Sequence, residues 1–302
     1  MISKTAVIIL HYKSWKDTAV CLSSIYSRGS DLGNKKVYIV SNSGDFGIPS
    51  EIDKRYKGIE LIINDSNIGY SAANNVGLRK ALQDGYKYFI LLNNDTLVSA
   101  KSLDNLAAFG FKNPQVGLVS PKIYFASGSE YHSQRYTGDE KGRVIWYAGG
   151  LIDWKNIYAS HRGVDEVDTG QYDEICDTGF STGCCMFISG NVIDKIGFLD
   201  EKYFLYFEDV DFSLRAKRAG FEIKYYPGVS IWHKNAETSG KPGSKLHIYY
   251  QLRNRLYFGI RYAPLRAKKS LLLESFRDLF KGNIFRQAVA DFYKGKMGKG
   301  KL

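Results

Sequence analysis

The sequence predicts an α/β fold, with a mostly parallel central sheet covered by helices on both faces and a helical C-terminal extension. Three observations predict it. Over the first 120 residues, short apolar runs alternate with segments of helical period. Polar residues follow each run. One run, 88–92, closes on Asn93-Asn94-Asp95, at the strand end where open α/β sheets bind ligands.

Taken in order, the strands are 6–10, 36–41, 59–63, 88–92 and 116–120, with helices at 14–26, 71–83 and 99–109. Their loops carry His11-Tyr12, Asn42 to Asp45, and Asn64 to Gly69, residues suited to lining a nucleotide crevice. From 124 to 177 the pattern breaks into aromatic, Gly-rich and polar sequence, read as an insertion of short antiparallel strands. Strand character returns at 179–189, and a short helix follows at 191–196. Glu208-Asp209-Val210-Asp211 opens a helix over 210–219, and 221–225 and 229–233 are strands. Residues 1–243 are thus expected to form the catalytic domain. Beyond Ser244, helices at 246–262, 265–280 and 284–293 are punctuated by Pro264 and Gly282. The Gly/Lys-rich stretch 294–301 reads as disordered.

Bulk properties narrow the function. The 302 residues are 44% apolar and 24% charged, the composition of a globular protein with a large core. Net charge is +11, yet residues 241–302 hold 15 Lys/Arg against 3 Asp/Glu, while residues 1–240 hold 27 against 28. A near-neutral body with a basic attachment argues against a nucleic-acid groove through the fold. Basic amphipathic helices suit a membrane surface, with a helical cap as the alternative, expected for the first of them. No apolar run reaches a membrane span. Strand-like sequence begins almost at once, so no signal peptide and a cytoplasmic location are expected. Cys21, Cys176, Cys184 and Cys185 lack zinc-site spacing. No Gly-x-Gly-x-x-Gly follows the first strand, which disfavours a dehydrogenase.

Several motifs in order carry a more specific signal. They are Asn67-Ile68-Gly69-Tyr70-Ser71 leading to Asn74-Asn75, Leu92-Asn93-Asn94-Asp95, Tyr147-Ala148-Gly149-Gly150, Phe207-Glu208-Asp209-Val210-Asp211-Phe212, Trp232-His233, and the stretch from Tyr249 to Asn254. Over about residues 4–260 the chain resembles the inverting glycosyltransferases of family 2, which have the nucleotide-sugar-binding GT-A fold. It is most similar to their bacterial rhamnosyltransferase-like branch.

The resemblance implies roles. Asp95 would hold a divalent cation bridging the donor diphosphate, with His233 as second ligand. Oxygen ligation suits Mg²⁺ or Mn²⁺, and the imidazole favours Mn²⁺. Asn93 and Asn94 stand where a stricter pattern has carboxylates, so the donor itself would hold much of the ion. Asp209 would be the general base, tuned by like-charge repulsion from Glu208 and Asp211. Arg253 and Arg255 would clamp the diphosphate. His11, Tyr12, Asn42, Asp45, Asn67, Gly69, Asn74 and Asn93 would contact the nucleotide, and Trp146, Gly149, Gly150, Glu208 and Asp211 the acceptor.

Plainer alternatives stand beside these roles. Asp95 could cap a helix over 96–100, the carboxylates from 208 to 211 could be a solvated helix start, His233 a core residue, and the two arginines surface or lipid-facing charges. The implied donor is dTDP-L-rhamnose, or a UDP-sugar such as UDP-galactofuranose. The acceptor would be a lipid-linked surface glycan of the O-antigen or capsule kind, met at the inner face of the cell membrane. The rival reading is a catalytically degenerate scaffold of the same fold.

Overall fold

A computed structural model describes residues 4–26, 34–44, 47–50, 52, 56, 58–99, 101–235 and 243–301. Four parallel strands form one half of the sheet, in the order β3-β2-β1-β4: β1 (Thr5–His11), β2 (Lys35–Ser41), β3 (Ile59–Ile63) and β4 (Tyr88–Asn93). Beyond β4 lies β11 (Cys185–Ser189), antiparallel to both neighbours, then β6 (Val116–Phe125) and β12 (Glu222–His233), parallel to each other. Six strands therefore run one way, and their carboxyl ends meet along one edge.

Two-residue periodicity divides the strands between two cores. Val7, Ile9, Val37, Ile39, Ile90 and Leu92 face one side, with Leu22 of α1 (Trp15–Ile25) and Leu103 and Leu106 of α3 (Ser102–Lys112). Ala6, Ile8, Tyr38, Val40, Phe89 and Leu91 face the other, against Leu78 and Ala81 of α2 (Tyr70–Gln83), Val192 of α4 (Gly190–Ile196) and Phe212 of α5 (Glu208–Arg218). Strands buried on both faces read as continuous apolar runs, which is why the sequence located them. Each fully buried aliphatic side chain here contributes about 1.5–3 kcal/mol.

Two elements differ from expectation. β6 continues to Phe125 in spite of Pro121, which lacks an N–H for the ladder. The strand tolerates it because Pro121 pairs with Tyr226 at the register break of β12, beyond the two residues that meet β11. That break, around Pro227 and Gly228, is an irregularity within one strand, where two strands were expected.

Short antiparallel pairs fill 124–177. β7 (Ile145–Tyr147) adds to β6, β8 (Gly150–Asp153) pairs with β9 (Tyr158–His161), and β10 (Cys176–Asp177) adds to β12. β5 (Thr96–Val98) also pairs with β12.

The C-terminal helices belong to the body. α6 (Lys245–Tyr262) starts at the N-cap Ser244 and buries Tyr249, Tyr250, Leu256 and Phe258 in the first core. α7 (Leu265–Asp278) and α8 (Asn283–Tyr293) pack on it. The stretch 294–301 is ordered on the body, contrary to its composition. The buried Arg253 guanidinium donates to the carbonyls of Lys296 and Gly298, and the Gly300 N–H donates to the Tyr250 hydroxyl. Among the described residues no helix is long and apolar enough to cross a membrane.

Candidate active site

The parallel strands deliver their loops to one edge. Tyr12 follows β1, Asn42 follows β2, Asn67 to Gly69 follow β3, and Asn93 to Asp95 close β4. Together they line a cleft of about 540 Å³, within the range of small-molecule sites. Trp146, the β9 hairpin strand through His161, the segment from Phe204 to Asp209, and Leu246 and Gln251 of α6 form its other walls.

The side of the cleft formed by the loops after β2 and β3 is organised by asparagines. Buried Asn42 donates to Asn67 Oδ1 at 3.0 Å and accepts the Ile68 N–H at 3.0 Å, while Asn67 Oδ1 also accepts the Gly69 N–H at 2.9 Å. Gly69 has φ 94°, and a Cβ there would meet the Phe204 ring at 2.6 Å. Only glycine satisfies both demands. These side chains shape the loop as well as facing the cleft.

Pairing of β5 with β12 sets the second feature. His233 lies opposite Thr96, so its ring reaches Asp95, with Nε2 3.1 Å from Oδ1. Both residues are at least 90% buried. Thr96 belongs to a strand, so Asp95 is not a helix cap. Among the described residues no group of three or more His, Cys, Asp or Glu could hold a metal. A two-donor set still fits a divalent cation: adjacent ligands at about 2.1 Å from an octahedral ion stand roughly 3 Å apart. His233 Nδ1 is buried without a hydrogen-bond partner, leaving the ring oriented by its contact with Trp146, 4.6 Å between centroids. The remaining ligands would be donor phosphate oxygens and water.

Asp209 enters from the opposite wall, in the first turn of α5. Its Oδ1 accepts the Val210 N–H at 2.8 Å and its Oδ2 the Gly183 N–H at 3.1 Å. Burial pushes its carboxyl above the ordinary range, opposed by those N–H groups. Glu208 is raised well above its ordinary value, by burial first and then by the Asp209 charge, and its Oε2 is buried without a partner. The tuning thus differs from expectation: burial rather than repulsion lifts Asp209. Asp211 plays no part, because it is fully buried against Arg215, Arg261 and the Tyr262 hydroxyl.

The turn before Asp209 is strained. Tyr206 and Phe207 both adopt left-handed conformations, φ 69° and 73°, at a cost of about 1–3 kcal/mol each. The Asn254 side-chain amide holds the turn, donating to the carbonyls of Leu205 at 2.8 Å and Tyr206 at 2.9 Å. Asn254 is a positioning residue. Asn254→Ala is expected to lower kcat about tenfold with little change in nucleotide binding, as two half-buried carbonyls of the strained turn lose their donor. An unchanged kcat in steady-state assays would show that the turn keeps its shape without it.

The structure brings Tyr12, Asn42, Asn67, Gly69, Asn93, Asp95, Trp146, Glu208, Asp209 and His233 to the cleft. It does not bring the others. His11 is buried beneath, its Nδ1 on Thr18 and its ring on Trp15. Asn74 donates to the Tyr70 carbonyl. Gly150 packs under Phe180, and Gly149 lies against Arg162 and Thr178. Arg253 is spent on the C-terminal stretch, and Arg255 on Glu274, the Asn156 carbonyl and the Tyr158 ring. Neither arginine lines the cleft. Asp45 lies outside the described residues.

Three contributors carried no assigned role in the sequence. Gly183 donates to Asp209, and its carbonyl accepts the Tyr70 hydroxyl at 2.6 Å. His161, held neutral by burial with its pKa lowered to about 4, bonds the Trp146 carbonyl. Asn254 completes the set. The Gly183-Cys184 pair inside the strand-like run 179–189 and the His161-Arg162-Gly163 triplet were the available signals.

Sheet and cleft together define a glycosyltransferase of the GT-A fold. The chain aligns with GalNAc-T7 solved with UDP, GalNAc and Mn²⁺, at TM-score 0.65 and 14% identity, covering 97% of this chain and 56% of that one. It also aligns with the mannosyltransferase PcManGT of Pyrobaculum calidifontis, solved with GDP-Man and Mn²⁺, at TM-score 0.54 and 15% identity, covering 99% and 76%. The chain belongs to the family described as glycosyltransferase like family 2, whose profile matches residues 3–259.

Relatives include the low-salt glycan biosynthesis hexosyltransferase Agl10 of Haloferax volcanii, 26% identical, with 84% of this chain and 75% of that one covered. The N-acetylglucosaminyl-diphospho-decaprenol L-rhamnosyltransferase of Mycobacterium tuberculosis is 26% identical over 79% and 81%. The dTDP-rhamnosyl transferase RfbF of Shigella flexneri is 22% identical over 97% and 90%. The protein is a glycosyltransferase.

Proposed function

We propose that it transfers an L-rhamnosyl group from dTDP-L-rhamnose to a hydroxyl of a lipid-linked glycan, with inversion at the anomeric carbon. The observation that carries this reading is the placement of Asp209 across one cleft from the Asp95–His233 pair. The acceptor oxygen attacks the anomeric carbon as Asp209 takes its proton. The bond to the diphosphate breaks, and its electrons stay on the phosphate oxygen. Asp95 and His233 would hold Mn²⁺ or Mg²⁺, whose charge stabilises the departing diphosphate. Two relatives named as rhamnosyltransferases, one of them for a decaprenol-linked substrate, support the donor and the acceptor class.

The acceptor's lipid places the reaction at a membrane surface, and the basic C-terminal helices suit peripheral attachment at the inner face. Assembly of an O-antigen or capsule is the setting this chemistry fits.

A thermal-shift screen of dTDP, UDP, GDP and CMP, each with Mn²⁺, Mg²⁺ or EDTA, tests the reading. dTDP with metal at about 100 times Kd is expected to raise Tm by roughly 5 °C, and EDTA to abolish the rise. A metal-dependent rise with UDP alone would replace the donor with a UDP-sugar such as UDP-galactofuranose. No rise with any nucleotide would favour a degenerate scaffold.

A further inference from the structure

α7 carries an apolar stripe on the side turned away from the body. Ala267, Leu271, Ser275 and Asp278 are buried on its inner face. Leu265, Leu273 and Phe276 are 77%, 65% and 55% exposed, and Phe280, just past the helix, is 86% exposed. At 100° per residue the first three fall within about 80° of arc, roughly opposite the buried face. Core packing therefore explains none of them. α8 differs: its Ala288 and Val289 are buried and Ile284, Phe285 and Phe292 pack inward.

Charge indicates what covers the stripe. Arg266, Lys269 and Arg277 are exposed around it. The two acids of this helix are taken up, Glu274 by Arg255 at 2.8 Å and Asp278 by Lys281 at 2.7 Å. An apolar band flanked by cations, with its acids neutralised, matches an anionic lipid surface. A protein partner burying the same band would have to be acidic at its rim.

We infer that the Leu265–Phe280 face is a lipid-docking surface, with Leu265, Leu273, Phe276 and Phe280 entering the interface and Arg266, Lys269 and Arg277 meeting anionic headgroups. A chain of contacts runs from this face to the cleft. Glu274 pairs with Arg255, whose guanidinium stacks 4.2 Å from the Tyr158 ring centroid, and Tyr158 begins the strand whose Ala159 and His161 line the site. The purpose of docking rests on the lipid-linked acceptor proposed above. The docking itself needs no substrate.

Co-sedimentation of the full chain with phosphatidylcholine vesicles, with and without phosphatidylglycerol, tests the inference. Wild type is expected to bind the anionic vesicles and to lose binding as salt rises. Leu273→Ser/Phe276→Ser/Phe280→Ser should lower the partition constant at least about tenfold, with an unchanged circular dichroism melt. Arg266→Glu/Lys269→Glu should remove the preference for anionic lipid. Wild type left in the supernatant with both vesicle types would overturn the inference, as would a triple variant that binds like wild type. A dimer on gel filtration that the triple variant dissolves, without vesicle binding, would assign the face to a second copy. Vesicle binding without any nucleotide-dependent thermal shift would support docking and count against the transfer reading alone.

Discussion

Asp209→Asn is expected to lower turnover by about 10²–10⁴-fold, equivalent to roughly 3–5 kcal/mol of transition-state stabilisation, while metal-dependent nucleotide binding persists. The carboxylate sits in the first turn of α5, both oxygens fixed by backbone N–H groups of Val210 and Gly183. Asparagine offers a single acceptor oxygen, so Asp209→Ala serves as a second variant that presents no misdirected amide. The pH dependence follows in sign. A general base works only when ionised, and burial raises the Asp209 pKa. Activity should therefore fall as pH drops through a value above the usual carboxylate range, and the variants should lose that limb of the profile. Near-wild-type transfer by both variants would remove Asp209 from the chemistry.

Asp95→Ala carries the second large effect. It removes the carboxylate that follows the end of β4 and takes away the group facing His233 Nε2. A cation at a departing diphosphate supplies several kcal/mol, so transfer should fall on the order of 10³-fold. The dTDP thermal shift should lose its dependence on Mn²⁺ or Mg²⁺. His233→Ala should act in the same direction, raising the metal concentration needed for half-maximal activity. Metal titrations of both variants decide the matter. A metal-dependent shift that survives in Asp95→Ala would place the cation elsewhere.

The sheet was legible because its strands are buried on both faces and so read as unbroken apolar runs from Ala6 to Leu10 and from Phe89 to Leu92. The loops were legible because their polar residues follow those runs directly. His233 and Asp95 came together as expected, though the pairing of β5 with β12 that joins them leaves little trace in three residues of sequence. Arg253 and Arg255 were not legible. An arginine in a helix shows its charge but not its neighbour, and here the neighbours are carbonyls, Glu274 and Tyr158. Asp211 misled for the same reason, since Arg261 lies 50 positions away. Composition also misjudged the stretch 294–301, whose glycines let its carbonyls approach a buried guanidinium.

Arg253, Asn254 and Arg255 are consecutive on α6, and each answers to a different part of the molecule. Successive side chains on an α-helix diverge by about 100°. Arg253 gathers the end of the chain, Asn254 the turn before Asp209, and Arg255 the helix with the outward apolar stripe. A rotation of the helix by one residue would release all three at once. The helix therefore works as a keyed axle with a single admissible setting, and that setting fixes where Asp209 stands relative to the outward apolar stripe.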